Sequence, residues 1–231
     1  LGTLAPLTVG RRARVTTAVV VLAGGCAIYI ASQIRIGNPV EGSGLFWHDS
    51  EFNTAVRQIN SHFPGVNTLE IVLESKDRET KDLMVQRYHM QETMAQLQRL
   101  MESGEGPPRA TLSFADYTGE GNRLFNGGNP KWIPLDPTDQ AASGASFAVT
   151  MGTSAKNFGH VVNEKWLDGT VSLWYRDNKQ ETVDHALAAA SRAVEEAGVD
   201  HPAFRVRLAT GTIPLQQAVN NVVERYHWVV V

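Results

Sequence analysis

Apolar residues are spread unevenly along this chain. Val15 to Ile34 runs VTTAVVVLAGGCAIYIASQI, twenty residues without a charge. At about 1.5 Å of rise per residue, a helix of that length covers roughly 30 Å, the hydrocarbon thickness of a bilayer. Arg11, Arg12 and Arg14 precede the run and only Arg35 follows it, a bias that puts the amino end in the cytoplasm. A signal peptide shares the charged start and apolar middle. This run is longer than a typical signal core, however, and no small-x-small cleavage site follows it. Gly24-Gly25 permits close helix packing and is equally ordinary in a membrane helix, and Cys26 reads as a small apolar packer. At the far end, Trp228-Val229-Val230-Val231 opens a second apolar run with an aromatic at its boundary. The predicted layout is a cytoplasmic lead-in (1–14), a transmembrane helix (15–34), an extracytoplasmic domain (35–212), and a returning helix that begins a second span (213–231).

Between the two runs the periods alternate. Glu51 to Phe63 sets Phe52, Ala55, Val56, Ile59 and Phe63 on one helical face, with Asp49 and Ser50 as caps and Pro64-Gly65 as the stop. Asn67 to Glu74 alternates Leu69, Ile71 and Leu73 against polar residues, a half-buried strand. Lys81 to Glu102 predicts the longest helix, with Leu83, Met90, Met94, Leu97 and Met101 as its stripe. Ala110 to Ala115 predicts a second strand with Leu112 and Phe114 on one face. Thr170 to Arg176 predicts a third, after the Asp168-Gly169 turn. Gln180 to Ala197 is a helix stopped by Gly198, and Ala203 to Ala209 a fourth strand. The order β-α-β, interruption, β-α-β predicts an α+β domain of the ferredoxin-like βαββαβ kind, with two helices on one side of a four-stranded sheet. Thr212, Pro214 and the stripe Leu215, Val219, Val222, Tyr226 describe a helix leading back to the membrane.

The interruption, residues 116–159, is predicted as a long insertion of irregular structure whose Ala/Ser-rich part, Asp139 to Ala155, has room for a helix. It holds seven glycines and three prolines, and loops of this length are usually functional or mobile. Its aromatics either line a groove for an amphiphile or pin the loop to the sheet. On the first alternative Phe125, Trp132, Phe147 and Met151 are the candidate substrate contacts. Four of the five methionines (Met84, Met90, Met94, Met101) fall in the predicted long helix, where plain packing on the sheet outweighs a role as adaptable ligand surface.

Charge and composition narrow the function classes. Residues 35–231 carry 18 basic and 24 acidic side chains, a formal −6, which speaks against nucleic acid and against anionic lipid surfaces as partners. One cysteine excludes an internal disulfide framework and a cysteine-caged zinc. The histidines lack the spacing of a zinc-protease helix, no phosphate-binding Gly-Lys-Ser/Thr loop is present, and no serine sits in a nucleophile elbow. Asp136 and Asp139, separated by Pro137, read as loop caps. No cofactor, metal or enzymatic activity is expected.

The words Asp49-Ser50-Glu51-Phe52-Asn53, Phe63-Pro64-Gly65 and Leu208-Ala209-Thr210-Gly211, in that order after a membrane helix, resemble the resistance-nodulation-division (RND) superfamily. The nearest branch is the hydrophobe/amphiphile exporters of the mycobacterial membrane protein large (MMPL) type. The lead-in LGTLAPLTVGRRAR is similar to the linker ahead of such a protein's seventh helix. The resemblance implies an efflux transport protein of the bacterial inner membrane, with a periplasmic porter domain that passes a hydrophobic or amphiphilic substrate. It also implies proton coupling in the remainder of the transporter chain, and allows assembly as a homo-oligomer. The alternative is the ligand-binding sensory ectodomain of a membrane receptor. An anchored hydrolase is disfavoured by the missing site.

Overall fold

A computed structural model of the protein describes residues 10–32, 37, 41–151, 153–198 and 201–230. The chain divides into two units, residues 1–36 and 37–231. In the first, helix α1 (Gly10–Ser32) carries a window, Ala13–Ala31, of mean hydropathy 1.7 with none of it buried. By length and composition it is able to cross a membrane, and a signal sequence passes the same test. The predicted end of the span at Gln33 and Ile34 lies outside the described residues.

The second unit is built on a four-stranded sheet: β1 (Asn67–Ser75), β2 (Ala110–Leu112), β3 (Gly169–Tyr175) and β4 (Phe204–Thr210), in the order β2-β3-β1-β4 with every pairing antiparallel. Alternation in β1 sends Leu69, Ile71 and Leu73 to one face, where they are fully buried. Helices α3 (Tyr88–Ser103) and α6 (Gln180–Ala197) cover that face, α3 through Met90, Met94, Leu97 and Met101, α6 through Val183, Ala186, Ala190 and Val194. The methionines are therefore core, as the packing reading expected. On the other face Glu74 accepts from both Arg205 and Arg207 at 2.8 Å, and the Arg205 hydrogen bond chiefly holds its carboxyl below the ordinary range.

Helix α2 (Glu51–His62) begins at Ser50, whose hydroxyl accepts from the Asn53 amide, and the chain turns at Gly65 into β1. Gly198 closes α6 with φ +80°. Helix α7 (Thr212–Val230) follows β4 directly after Gly211, anchored by the fully buried Ile213. The side chains of Trp228 to Val231, where a second span was expected to open, lie outside the described residues.

Three expectations are corrected. The helix predicted from Lys81 starts only at Tyr88: Met84–Gln86 is a 3-10 turn, Arg87 is extended, and Leu83 sits outside the helix, partly exposed. Strand β2 stops at Leu112, and Phe114 opens a helix instead of sharing a strand face with it. The helix expected in the Ala/Ser-rich part of the interval 116–159 is present at Asp139–Thr150, and the rest of the interval is less irregular than expected. The interval holds helix α4 (Phe114–Phe125), a 3-10 turn at Pro130–Trp132, helix α5 (Asp139–Thr150) and a second 3-10 turn at Ala155–Phe158.

Candidate functional site

Helices α4 and α5 form a small subdomain against α3, joined to it by buried hydrogen bonds and anchored in the core by Phe114. A capping box starts α4: the Ser113 side chain and the Asp116 carboxylate satisfy each other's backbone amides, with Ser113 N donating to Asp116 Oδ2 at 2.7 Å. Helix α3 has no capping side chain of its own at Arg87. Asp139, in the first turn of α5, supplies one from outside: it accepts from the Tyr88 amide at 2.9 Å and pairs with Arg87 at 2.9 Å. Those contacts, the amide first, lower its carboxyl below the usual range. Asp139 is thus a cap for α3, while Thr138 caps α5, which corrects the reading of Asp139 as a loop cap.

Two glutamines seven residues apart on α3 tie the subdomain down. Gln91 is buried and donates to the Val85 carbonyl (3.1 Å) and to Ser146 of α5 (2.9 Å), and it accepts from Thr118 of α4 (2.9 Å). Gln98 donates to Thr111 of β2 (3.1 Å) and to Asp116 (2.8 Å), and accepts from Ser113 (2.7 Å). Helices α4 and α5 approach closely because Gly121 has no side chain; a Cβ there would lie 2.2 Å from Val149 Cγ2. Replacing Gln91 with methionine, similar in shape, removes three buried hydrogen bonds at once. The expected cost is about 2–3 kcal/mol, read from the urea midpoint of the full chain in detergent. A cost under about 0.5 kcal/mol, the level of a neutral surface change, would refute the view of Gln91 as the joint.

Along one edge of this joint runs a groove of about 440 Å³, within the size range of small-molecule sites. Helix α3 contributes Tyr88, Glu92, Ala95 and Arg99, helix α4 Ala115, Asp116, Gly119 and Glu120, and the segment before α5 closes it with Ile133, Pro134 and Leu135. Apolar Ala95, Ala115, Ile133, Pro134 and Leu135 share the walls with the polar Gln91 and Thr118, and the rim is charged. Arg99 pairs with Glu92 (2.7 Å) and Arg123 with Glu120 (2.6 Å), two solvated ion pairs, while Asp116, which accepts from Gln98 and the Ser113 amide, leaves the rim one acid in excess. The Tyr88 hydroxyl has a raised pKa, through burial first and neighbouring Glu92 second. An apolar trough with a polar lip suits a molecule with a greasy body and a polar head. Gly119 keeps the trough open toward Ile133, whose carbonyl would stand 3.1 Å from a Cβ.

The expected contacts Phe125, Trp132, Phe147 and Met151 all lie in the subdomain and are all exposed. None borders the groove, and no aromatic pairing among the described residues joins them to one another. Trp132 is held from the backbone, its carbonyl accepting from Asn122 at 2.6 Å, with Lys131 over its ring at 4.9 Å. Its immediate successors Ile133 to Leu135 reach the groove. Sequence reasoning missed the α3 edge because Tyr88, Glu92, Ala95 and Arg99 recur at helical spacing with mixed polarity, which a search for an apolar stripe passes over. Gln91 and Gln98, polar residues set beside the methionine stripe, were the available signal.

No known protein family, curated protein or solved structure matches this chain. Among the described residues no group of three His, Cys, Asp or Glu side chains is placed to hold a metal. The Tyr117 hydroxyl and His160 Nε2 stand 2.9 Å apart on the surface. His89 and His201 face each other with ring centroids 5.4 Å apart, and burial lowers the pKa of His201. The Tyr175 hydroxyl is buried without a partner among the described residues, beside a second, smaller cavity of about 250 Å³, and burial raises its pKa.

Proposed function

We propose that this chain is the extracytoplasmic porter module of a proton-driven exporter of the RND superfamily, MMPL-like branch, acting on hydrophobic or amphiphilic molecules. The observation that carries the reading is one of order. An apolar helix able to span a bilayer is followed by an antiparallel sheet of order β2-β3-β1-β4 with two crossing helices on one face, and then by a helix running into new apolar sequence. That strand order is the one two interleaved βαβ units produce, and supports a ferredoxin-like assignment with α4 and α5 as its insertion. In this reading α1 lies in the bacterial inner membrane with Arg11, Arg12 and Arg14 on the cytoplasmic side. Proton coupling belongs to other parts of the transporter, since Val15 to Ile34 holds no Asp, Glu, Lys or His. The groove between α3 and α4 is where an amphiphile would bear on the module, and packing changes between states would open and close its path.

Two measurements test this. In a Cys26→Ser background, cysteines placed at Arg12 and at Trp132 are challenged with a membrane-impermeant maleimide in intact bacteria. Labelling at 132 and protection at 12 is the expected result, and labelling of both from one side overturns the topology. A fluorescent amphiphile such as N-phenylnaphthylamine is then titrated onto the full chain and onto Ala95→Trp, which fills the trough. The expected result is a saturable signal weakened at least about tenfold, a change of roughly 1.4 kcal/mol, with an unchanged circular dichroism spectrum. Equal binding by both proteins refutes the groove.

A further inference from the structure

Helix α2 is inside out with respect to the core it adjoins. Its two buried residues are asparagines, Asn53 and Asn60, each 1% exposed. Asn53 accepts from the Ser43 amide (2.9 Å) and donates toward the carbonyls of Ser43, Phe46 and Trp47 (3.1, 3.3 and 3.0 Å). Asn60 donates to Glu41 (2.7 Å) and accepts from the Val66 amide (3.2 Å). The apolar side, Phe52, Ile59 and Phe63, faces outward, and the loop that Asn53 organises presents Leu45 (94% exposed) and Trp47 (85% exposed) beside it. The Phe46 and Phe52 rings, 5.4 Å apart, make loop and helix one surface. Rotating α2 to hide its aromatics would strand both asparagines, so the outward display is fixed by the hydrogen bonds behind it.

We propose that this face, Leu45 to Trp47 together with Phe52, Ile59 and Phe63, lies in the interfacial layer of the lipid bilayer, as a monotopic apolar foot of the extracytoplasmic unit. The inference rests on the reading of α1 as a membrane span. Twelve residues lie between Ser32, the end of α1, and Leu45, a reach of at most about 45 Å over thirteen Cα steps, so the foot stays within that distance of the end of the span. Tryptophan, phenylalanine and leucine over a polar flank is the composition that settles at the headgroup boundary. Residues 41–66 carry three acids (Glu41, Asp49, Glu51) against one arginine, Arg57, so apolar insertion and not attraction to anionic lipid holds the foot, and added salt leaves it in place.

The test uses the full chain in phosphatidylcholine vesicles. In a Cys26→Ser background, an NBD fluorophore is attached at Leu45→Cys, Phe52→Cys or Ile59→Cys, with the exposed Lys156→Cys as the reference. The native Cys26, labelled in the unaltered chain, reports on α1. Spin-labelled lipid is expected to quench the probe at 45, 52 and 59 at least about twofold from the headgroup-proximal position, to quench Cys26 from the deep position, and to leave the probe at 156 unaffected. A water-like, unquenched probe at 45, 52 and 59 beside a quenched Cys26 overturns the foot and spares the span. An unquenched Cys26 overturns both. A blue-shifted probe at 45, 52 and 59 that lipid does not quench shows the face covered by protein, and also overturns the proposal.

Discussion

Phe114→Ala is expected to destabilise the protein by about 3–5 kcal/mol, the range for emptying a fully enclosed phenylalanine site. Phe114 is completely buried, and its ring meets Trp166 edge-on at 5.1 Å and Phe158 edge-on at 5.7 Å. These three rings join the sheet core to the α4–α5 subdomain and to the connection that leads into β3. Truncation leaves a cavity whose walls are backbone-anchored on several sides: Phe114 is the first residue of a capped helix, and Trp166 holds a positive φ of 57°. The site therefore collapses poorly, and the loss falls toward the upper part of the range. Chemical denaturation of the full chain in detergent measures it, with Phe125→Ala as the comparison. Phe125 is exposed at the other end of the same helix, so its truncation is expected to stay within about 0.5 kcal/mol. Equal losses for the two variants would refute the placement of Phe114 in the core.

Phe114 also shows where hydrophobic period misleads. Leu112 and Phe114 alternate as a strand would, yet between them Ser113 begins the Ser-x-x-Asp pattern that ends with Asp116, a helix-start signature written in the sequence. Gly119 and Gly121 then hide the helix that follows, because glycine argues against helix by propensity. Its packing reason, the close passage of Val149 over Gly121, exists only in three dimensions. Where one apolar face meets one apolar core the sequence was a good guide: α6 spans the predicted Gln180 to Ala197, and β1, β3 and β4 each lie within one residue of their expected bounds. The subdomain escaped because, apart from the single ring of Phe114, it is joined through Gln91, Thr118, Ser146 and small residues, contacts that carry no apolar period. Helix α2 gave the opposite error of intuition. Its apolar stripe was legible, but the side it would face was not, since two asparagines outcompete the stripe for the interior.

Gly65→Ala is the second large effect, expected to cost about 3 kcal/mol or more. Gly65 sits at φ +132°, where a side chain is strained at about 1–3 kcal/mol whatever its surroundings. Here the surroundings add to the strain: a Cβ would stand 2.1 Å from the Tyr175 carbonyl oxygen and 2.9 Å from its carbon. That oxygen cannot withdraw, because Tyr175 is the register partner of Asn67 at the end of the β1–β3 ladder. The turn cannot withdraw either, since Arg109 donates to the carbonyls of Asn60 and Phe63 just before it. Relief has to come from moving α2 as a body or from unzipping the end of the central strand pair. Gly127→Ala separates the two contributions. Gly127 has φ +83° and open space where a Cβ would go, so it loses only the conformational part, about 1–2 kcal/mol. Thermal unfolding of the two variants side by side decides between the accounts. If Gly65→Ala loses no more than Gly127→Ala, the contact with Tyr175 is yielding, and α2 is free to tilt with respect to the sheet. If the excess loss is present, the turn is rigid, and it sets the direction in which Phe52, Ile59 and Phe63 face outward from the domain.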